Sequence, residues 1–222
     1  RGWDVTVCSS RLSGDPISHR HGGAEIRRSR AWNILERKLR VPVPLLSPLQ
    51  IAVMCRRRPD VFVAHGHTYL SSVYAAIAAK LTRTPLVVVQ HSPWVEYPFP
   101  LNAVEAFADR TIGRFVLHAA ERVVAVSAFT GSFVSEIAPR SDLQVLYSGV
   151  DAKYRPCEPR IDVPRLRVST LRRLVPRQGV DVLVEAWKLA RCGEVADLLI
   201  GGDGPERTAL EARSADDPSI SF

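Results

Sequence analysis

The sequence predicts an α/β protein with two Rossmann-like domains, each built around a parallel sheet. Short runs rich in valine, leucine and isoleucine alternate with stretches of helical periodicity over most of the 222 residues. Polar or glycine-containing loops follow several of these runs, as is typical of the carboxyl ends of parallel strands, where α/β proteins bind their ligands. A proline-rich segment divides the sequence. We therefore expect a domain at residues 1–150, a linker at 151–165 and the start of a second domain at 166–222.

Seven apolar runs are predicted to be strands, and four longer stretches are predicted to be helices. The predicted strands are residues 5–8, 61–64, 86–90, 123–126, 144–146, 167–170 and 198–200. The predicted helices are residues 70–81, 104–119, 129–137 and 180–190. The second domain has only two complete strands and the start of a third near Ser219, so we expect its sheet to be incomplete in this chain.

The excess basic charge is concentrated in the first 60 residues. The whole chain has 30 Lys and Arg against 23 Asp and Glu, whereas residues 1–60 alone have 12 against 5. Arg27, Arg28 and Arg30 therefore belong to a candidate surface for an anionic partner, such as lipid head groups, a phosphorylated acceptor or nucleic acid. The alternative is an ordinary solvated surface. No run of 18 apolar residues occurs, so the sequence predicts no membrane-spanning helix.

The four cysteines indicate neither a disulfide framework nor a metal site. They lie far apart and form no C-x-x-C pair. We interpret Cys8, Cys55, Cys157 and Cys192 as reduced core or surface thiols of a cytosolic protein. Val5 and Val7 near Cys8, and Val195 near Cys192, favour a core position.

The segment STLRRLVPRQGVDVLVEAW, residues 169–187, predicts a binding site for a diphosphate. A strand ends there in a basic loop, and a helix restarts near Gln178, so free backbone N–H groups and the positive helix end meet arginine side chains. Arg173 and Arg177 would bind the phosphate oxygens. Alternatively, both are solvated loop arginines.

A second glycine-containing loop, GGDGPE at residues 201–206, begins like the dinucleotide motif G-x-G-x-x-G. The position of its third glycine is occupied by Arg207. This departure argues against a dehydrogenase.

Candidate site residues also follow the strands of the first domain. His91 follows a predicted strand and is either functional or an ordinary hydrogen-bonded loop histidine. His65 and His67 form an H-x-H pair that is functional or structural; two ligands alone do not make a zinc site, so no metal is predicted. Ser127 either caps the helix that follows it or has a binding role.

These motifs resemble those of retaining GT-B glycosyltransferases of the group 1 or family 4 type, which use nucleotide-sugar donors. Residues 169–187 are similar to the G-R-L-x-x-x-K-G turn of that family, and LLIGGDGPERTALE, residues 198–211, is similar to the strand-GDGP-helix segment that follows it. Further matches occur in the same order: DVFVAHGH at 60–67, LVVVQHSPW at 86–94, RVVAVSAFT at 122–130 and VLYSGVD at 145–151. The resemblance extends from residue 1 to residue 222.

The resemblance implies a role for several residues of the second domain. Arg173 matches the arginine that binds the donor diphosphate. Gln178 stands where the family has a second phosphate ligand, a lysine, and Arg172 stands in place of a glycine. Gln178 brings no charge, so donor binding is weakened unless Arg177 substitutes. Gly202 and Gly204 would let the backbone approach the nucleotide.

In the first domain, the resemblance implies that His91 lies beside the transferred sugar. If they are not structural, His65 or His67 would line the acceptor cleft, and Ser127 would contact the acceptor unless it only caps its helix. The resemblance also implies that the family's glycine-rich loop would precede residue 1 and that its E-x7-E carboxylates would follow residue 222. On this interpretation the first domain lacks its first strand, and the chain on its own is inactive.

The implied reaction is transfer of a hexose from a UDP- or GDP-sugar to a hydroxyl group, with retention of anomeric configuration and without a cofactor. The acceptor would be lipid-linked, phosphorylated or a saccharide. We expect a cytoplasmic protein with a peripheral contact to the anionic inner face of a membrane, and no nucleic-acid partner. The alternative is a non-catalytic module that binds a polyanion or membrane through its basic N-terminal region.

Overall fold

The computed structural model describes residues 2–11, 14–32, 45–94, 100–151, 154 and 165–222. The chain divides into two compact units, Arg1–Asp151 and Ala152–Phe222. Each unit is described separately below. The assignment of acceptor and donor roles to the two predicted domains stays a prediction.

The first unit begins with a small mixed sheet. Its strands are β1 (Thr6–Arg11), β2 (Ser18–His21), β3 (Ala24–Trp32) and β4 (Leu45–Leu46). β1 pairs with β3 in parallel, whereas β2 and β4 are antiparallel to β3. Gly22 and Gly23 join β2 to β3, and both have the positive φ that a two-residue type I′ turn requires. Only the strand at residues 5–8 was predicted here, and the antiparallel strands β2 and β4 were not.

A four-stranded parallel sheet forms the centre of the first unit. Helix α1 (Leu49–Arg57) precedes it, and its strands β5 (Phe62–His65), β6 (Leu86–Gln90), β7 (Arg122–Ala125) and β8 (Gln144–Val145) pair in that order. All three pairings are parallel, as predicted. Because the strands run in one direction, the loops after β5, β6 and β7 meet at one edge of the sheet.

The connecting helices bury the centre of this sheet. They are α2 (Leu70–Thr82), α3 (Leu101–Ala108), α4 (Arg114–Ala119) and α5 (Ala128–Ile137). Four alanines of α2 are buried, and the core also contains Leu86, Val88, Val116, Val123 and Val134. Each large side chain buried in this way stabilises the fold by roughly 1.5–3 kcal/mol. The predicted helix at 104–119 is interrupted by a π-helical turn, Asp109–Gly113, between α3 and α4.

The second unit is a three-stranded parallel sheet with the order β11-β10-β9. Its elements are β9 (Leu166–Leu171), α6 (Val180–Leu189), β10 (Ala196–Gly201), α7 (Arg207–Ser214) and β11 (Ile220–Ser221), with 3-10 turns at Pro176–Gln178 and Cys192–Glu194. Its core consists of Leu174, Val180, Val184, Trp187, Ala196, Leu198, Ile200, Leu210 and Ile220. The predicted strands and helix of this region are present.

The basic N-terminal surface is partly neutralised by its own carboxylates. Glu25 accepts from Arg27 Nε at 2.7 Å and from Arg57 Nη1 at 3.0 Å. The hydrogen bond from Arg27, with that from Arg57, lowers the pKa of the Glu25 carboxyl. Arg28 lies 3.4 Å from Asp15. The side chain of Arg30 lies outside the described residues.

The three described cysteines lie at the margins of the two hydrophobic cores, Cys8 and Cys55 against the first and Cys192 against the second. Cys8, Cys55 and Cys192 are free and only half-buried, and Cys157 lies outside the described residues. The flanking valines, Val5, Val7 and Val195, are exposed. None of the helices in the described ranges has the length and apolarity needed to cross a bilayer.

Candidate functional site

Two histidines meet at the carboxyl edge of the central sheet. His65 is the last residue of β5, and His91 follows β6 directly. Nδ1 of His65 lies 2.8 Å from Nε2 of His91, and the ring centroids are 5.1 Å apart with an interplanar angle of 23°, so the two rings meet edge to edge. Both side chains are exposed. The structure thus brings together two of the residues that the sequence predicted for the site.

The loops that carry this pair are fixed by hydrogen bonds. The backbone N–H of Gly66 donates to the carbonyl of Val89 at 2.9 Å and extends the β5–β6 ladder by one residue. Gln90 is buried and donates from Nε2 to the carbonyl of Ser92 at 2.8 Å. The loops after β5 and β6 are therefore anchored beside the two histidines.

His65 has an unusual protonation equilibrium. Partial burial lowers its pKa, and the neighbouring His91 lowers it further. His65 therefore stays neutral at pH values at which an isolated histidine begins to take up a proton.

The side chain of His67 points into the interior of the first unit, whereas the side chain of His65 is exposed. His67 is 5% exposed, and its Nε2 lies 2.8 Å from Oδ1 of Asp109, which is 3% exposed. Gly66 makes this reversal possible because its φ is +80° and a Cβ at that position would lie 2.6 Å from the Tyr69 ring. This burial favours the structural alternative for His67 over a position in an open acceptor cleft.

The π-helical turn Asp109–Gly113 is built around His67. Asp109 supplies the carboxylate, and a Cβ on Gly113 would lie 2.3 Å from Cδ2 of the His67 ring. The edge of that ring also contacts Phe133 at a centroid distance of 5.2 Å. π-Helical turns often occur at functional sites. This one fixes the loop that begins at His65.

Sequence reasoning missed the acidic residues and the aromatic cluster behind this loop. Burial raises the pKa of Glu105, and the negative charge of Asp109 adds to the rise. Trp94 packs edge-on against Phe133 at 4.6 Å and lies under the guanidinium of Arg110 at 5.3 Å. The available signal was the pair of acidic residues, Glu105 and Asp109, spaced four positions apart in the predicted helix at 104–119.

Ser127 caps helix α5, which confirms one of the two alternatives for this residue. Its backbone is extended, with φ −157° and ψ 163°, and its Oγ accepts from the N–H of Thr130 at 3.1 Å. This is the geometry of an N-cap, which satisfies one of the free N–H groups of the first helical turn. An additional contact of Ser127 with an acceptor stays a prediction.

Substitution of Ser127 by alanine is expected to lower the free energy of unfolding by about 1 kcal/mol, because the Thr130 N–H loses its acceptor. Ser132→Ala is the matched control, since Ser132 is exposed on the same helix and donates only to the Ala128 carbonyl. Urea denaturation of the two variants measures the difference. Equal stabilities would contradict the capping role.

In the second unit, the loops after β9 and β10 are joined to each other by backbone hydrogen bonds. The N–H of Arg172 donates to Gly201 at 3.0 Å, the N–H of Leu174 to Asp203 at 2.9 Å, and the N–H of Glu206 to Leu174 at 3.1 Å. Leu174 is completely buried. The basic loop and the GGDGPE loop therefore form one rigid edge.

Gly202 and Gly204 have a packing role at this edge. A Cβ on Gly202, whose φ is +133°, would lie 1.8 Å from the carbonyl oxygen of Arg172. A Cβ on Gly204 would lie 2.3 Å from the carbonyl oxygen of Leu174. The two glycines thus let the two loops approach each other, and their contact with a nucleotide stays a prediction. Helix α7 begins at Arg207, two residues after Pro205.

The arginines of the basic loop differ in their contacts. Arg173 and Arg177 are exposed, and neither side chain has a hydrogen bond or ion pair to any residue that the structure describes. Arg172 donates from Nη1 to Oε1 of Gln178 at 2.8 Å, so the two departures from the family pattern contact each other. By contrast, Arg165 and Arg207 are bound to carboxylates.

The loop of residues 172–178 therefore combines exposed positive charge with the amino end of α6, which begins at Val180. This arrangement can bind an anion such as a diphosphate. No group of three or more metal-ligating side chains occurs within the described ranges.

The family is decided by the first 154 residues, which match the profile of Glycosyltransferase Family 4. The chain belongs to glycosyltransferase family 4. A search of curated proteins gives no significant match to this family 4 chain.

Solved GT-B glycosyltransferases have a similar fold. HepE (Alr3699) of Anabaena, in complex with UDP, is 18% identical, with a TM-score of 0.66 over 99% of this chain and 68% of HepE. WaaB, a lipopolysaccharide outer core galactosyltransferase in its apo form, is 15% identical, with a TM-score of 0.55 over 99% of this chain and 67% of WaaB.

A third similar structure is an S. aureus TarM variant in complex with fondaparinux, α-GlcNAc-glycerol and UDP. It is 12% identical, with a TM-score of 0.56 over 76% of this chain and 34% of TarM. The chain thus spans about one third of TarM. The three likenesses agree with the predicted α/β class of GT-B type.

Proposed function

We propose that the protein transfers a hexose from a UDP- or GDP-sugar to an acceptor hydroxyl, with retention of anomeric configuration. The observation that carries the proposal is the loop of residues 172–178, where Arg173 and Arg177 are exposed and have no carboxylate partner among the described residues. The UDP bound to HepE and to the TarM variant supports a nucleotide-sugar donor. Retention rests on the resemblance of residues 169–187 to the family's G-R-L-x-x-x-K-G turn.

In the proposed reaction, negative charge develops on the diphosphate as its bond to the sugar breaks. Arg173 and the free N–H groups at the start of α6 bind the phosphate oxygens and stabilise this charge. The loop is held in place by the buried Leu174 and by its backbone hydrogen bonds to the GGDGPE loop. Little reorganisation is then needed when the charge appears, and this favours catalysis.

Arg172 is proposed to supply the second positive charge of the donor site. Its guanidinium is held on the neutral amide of Gln178, the residue that stands where the family has a lysine. The positive charge is therefore brought to that position without a carboxylate to neutralise it.

Arg172→Ala is expected to weaken UDP binding about tenfold, the effect of losing one charge-assisted hydrogen bond. Gln178→Ala is expected to have a smaller effect, because it removes the positioning group and keeps the charge. Isothermal titration of the full-length protein with UDP distinguishes the two variants. Unchanged affinity in Arg172→Ala would eliminate this role.

The first domain is proposed to bind the acceptor and the transferred sugar. His91 would contact the sugar, and His65 beside it would line the same edge. The acceptor provides a hydroxyl group and is lipid-linked, phosphorylated or a saccharide. The TarM variant was solved with α-GlcNAc-glycerol and fondaparinux, which supports a saccharide.

A donor screen tests the proposed reaction. The full-length protein is incubated with UDP-glucose, UDP-galactose, UDP-N-acetylglucosamine and GDP-mannose, and release of UDP or GDP is measured with and without saccharide acceptors. Proton NMR of the product then gives the anomeric configuration. Turnover of one donor with retention is the expected result, and inversion would contradict the proposed stereochemistry.

The second candidate function is non-catalytic binding of a polyanion or an anionic membrane through the basic N-terminal region. Its support is the positive charge of residues 1–60. It is weakened because Glu25 and Asp15 already bind Arg27, Arg57 and Arg28. Salt-sensitive binding to anionic vesicles, without turnover of any donor, would favour it. A cytoplasmic location suits either function.

A further inference from the structure

We propose that the π-helical turn Asp109–Gly113 positions the two loops that carry His65 and His91. These loops are residues 65–69 and residues 91–94, called here the first and the second histidine loop. The facing ring nitrogens of the two histidines lie 2.8 Å apart. The positioning stands on geometry alone, whereas its effect on turnover rests on the proposed function.

Asp109 is the positioning residue of the first histidine loop and acts through His67. An ionised carboxylate only accepts hydrogen bonds, so Nε2 of His67 carries a proton and donates it to Oδ1 of Asp109 at 2.8 Å. Both side chains are buried, and removal of either one would leave the other without its partner. His67 lies only two residues after His65. The first loop is therefore held by a residue 42 positions further along the chain.

Gly113 fits the other end of the turn against the same ring. A Cβ on this residue would lie 2.3 Å from Cδ2 of His67. The backbone of Gly113 is helical, with φ −62° and ψ −46°, so its conformation does not require glycine. What requires glycine is the close approach to the imidazole. Asp109 and Gly113, four positions apart, thus both contact the Nε2–Cδ2 edge of His67.

Arg110 is the positioning residue of the second histidine loop and acts through Trp94. Its guanidinium lies over the Trp94 ring, 5.3 Å from the centroid. A cation in this position is attracted by the π electrons of the indole. Trp94 also packs edge-on against Phe133 at a centroid distance of 4.6 Å. Because Trp94 lies three residues after His91, these contacts limit how far the second loop can move.

Phe133 of α5 joins the two sets of contacts. Its buried ring contacts His67 at a centroid distance of 5.2 Å and Trp94 at 4.6 Å, in both cases edge-on. The two histidine loops thus share one aromatic neighbour as well as one turn. Within that turn, Asp109 is buried and serves the first loop, whereas Arg110 is exposed and serves the second. A shift of the turn would therefore disturb both loops and the contact between their histidines.

This support matters because both histidines of the contact are exposed. Exposed side chains on loops keep one geometry only when the residues behind them are locked by packing and hydrogen bonds. The buried bond between His67 and Asp109 and the packing of Trp94 on Phe133 supply both kinds of constraint.

Nuclear Overhauser effects between the ring protons of His65 and His91 measure the contact directly in the full-length protein. Gly113→Ala should weaken these effects, because the added methyl group displaces the His67 ring. Asp109→Ala should weaken them as well. Asp109→Asn should largely retain them, since its amide oxygen can still accept from His67.

Ile137→Ala is the control for loss of stability alone. Ile137 is a buried residue of the same core, at the end of α5, and its truncation should leave the Overhauser effects intact. Undiminished effects in both Gly113→Ala and Asp109→Ala would overturn the proposal. Equal weakening in Ile137→Ala would also overturn it, because the contact would then depend on general stability.

Arg110→Ala tests the second loop in a variant that should fold, because Arg110 is exposed. Changes of backbone amide shifts should be largest at residues 91–94 in Arg110→Ala and at residues 65–69 in Asp109→Ala. Arg114→Ala removes an exposed arginine four positions later and should change neither loop. Unchanged shifts at residues 91–94 in Arg110→Ala would overturn the assignment of this arginine.

Turnover separates this proposal from the proposed function. With the donor that the full-length protein uses, Gly113→Ala is expected to lower kcat/KM about tenfold, because misplaced groups slow a reaction even when the change lies away from the reacting atoms. UDP affinity should stay unchanged, since the proposed diphosphate loop belongs to the second unit. No turnover of any donor, with Overhauser effects that respond as expected, would overturn the proposed function and leave the positioning standing. Full turnover in Gly113→Ala, despite a lost ring contact, would overturn the positioning role and leave the proposed function standing.

Discussion

Replacement of Arg173 by alanine is expected to lower kcat/KM for the donor by about 100- to 1000-fold in the full-length protein. Removal of one preorganised group that stabilises developing charge commonly costs this much. Arg173 is exposed, lies in the loop after β9 and has no partner among the described residues, so its positive charge is available to a ligand. The loss should affect both UDP affinity and kcat, because the charge on the diphosphate increases in the transition state.

Arg167→Ala is the control for this experiment. Arg167 is an exposed arginine of β9, the strand that precedes the basic loop. Its removal changes the net charge by the same amount but should leave kcat/KM within a factor of two to three. Equal losses in both variants would show that general charge, rather than a contact of Arg173 with the diphosphate, drives binding.

Gly202→Ala is expected to destabilise the second unit by about 3 kcal/mol or more. The added Cβ would lie 1.8 Å from the carbonyl oxygen of Arg172, and the φ of +133° is unfavourable for any residue with a side chain. The three nearest atoms all belong to the backbone of Arg172, so no flexible side chain could move away. A loss of this size is a large part of the 5–15 kcal/mol that stabilises a typical domain.

Gly179→Ala provides the comparison for Gly202→Ala. Gly179 also has a positive φ, +66°, but no atom lies within 4 Å of its would-be Cβ. Only the left-handed conformation is penalised there, at roughly 1–2 kcal/mol. Urea denaturation followed by tryptophan fluorescence reports on this unit through the buried Trp187. A Gly202→Ala protein as stable as Gly179→Ala would refute the close contact of the two loops.

The parts of the fold that the sequence predicted are those with a strong apolar pattern. β5, β6 and β7 coincide with short apolar runs between polar loops, and such runs have few other interpretations. The hairpin of β2 and β3 was missed because residues 24–32, AEIRRSRAW, have no apolar run. A signal was nevertheless present, since Gly22 and Gly23 favour a type I′ turn.

The candidate site was predicted in its position but not in its contacts. The order of parallel strands is enough to place His65 and His91 at one edge of the sheet. Their hydrogen bond, and the opposite direction of His67, depend on the φ of Gly66 and on Asp109, which is 42 residues away from His67. Likewise, the sequence indicated glycines at 202 and 204, but it could not show that the backbone they approach belongs to Arg172 and Leu174.

The most direct test of the account is a titration of the full-length protein with UDP, GDP and uridine, followed by backbone amide NMR. The central claim is that the loop of residues 172–178 binds the diphosphate group of a nucleotide. We predict saturable shifts of the amides at residues 172–180 and 201–204 with UDP or GDP, none of comparable size with uridine, and loss of these shifts in Arg173→Ala. Equal responses to uridine and UDP, or shifts confined to residues 1–60, would contradict the claim.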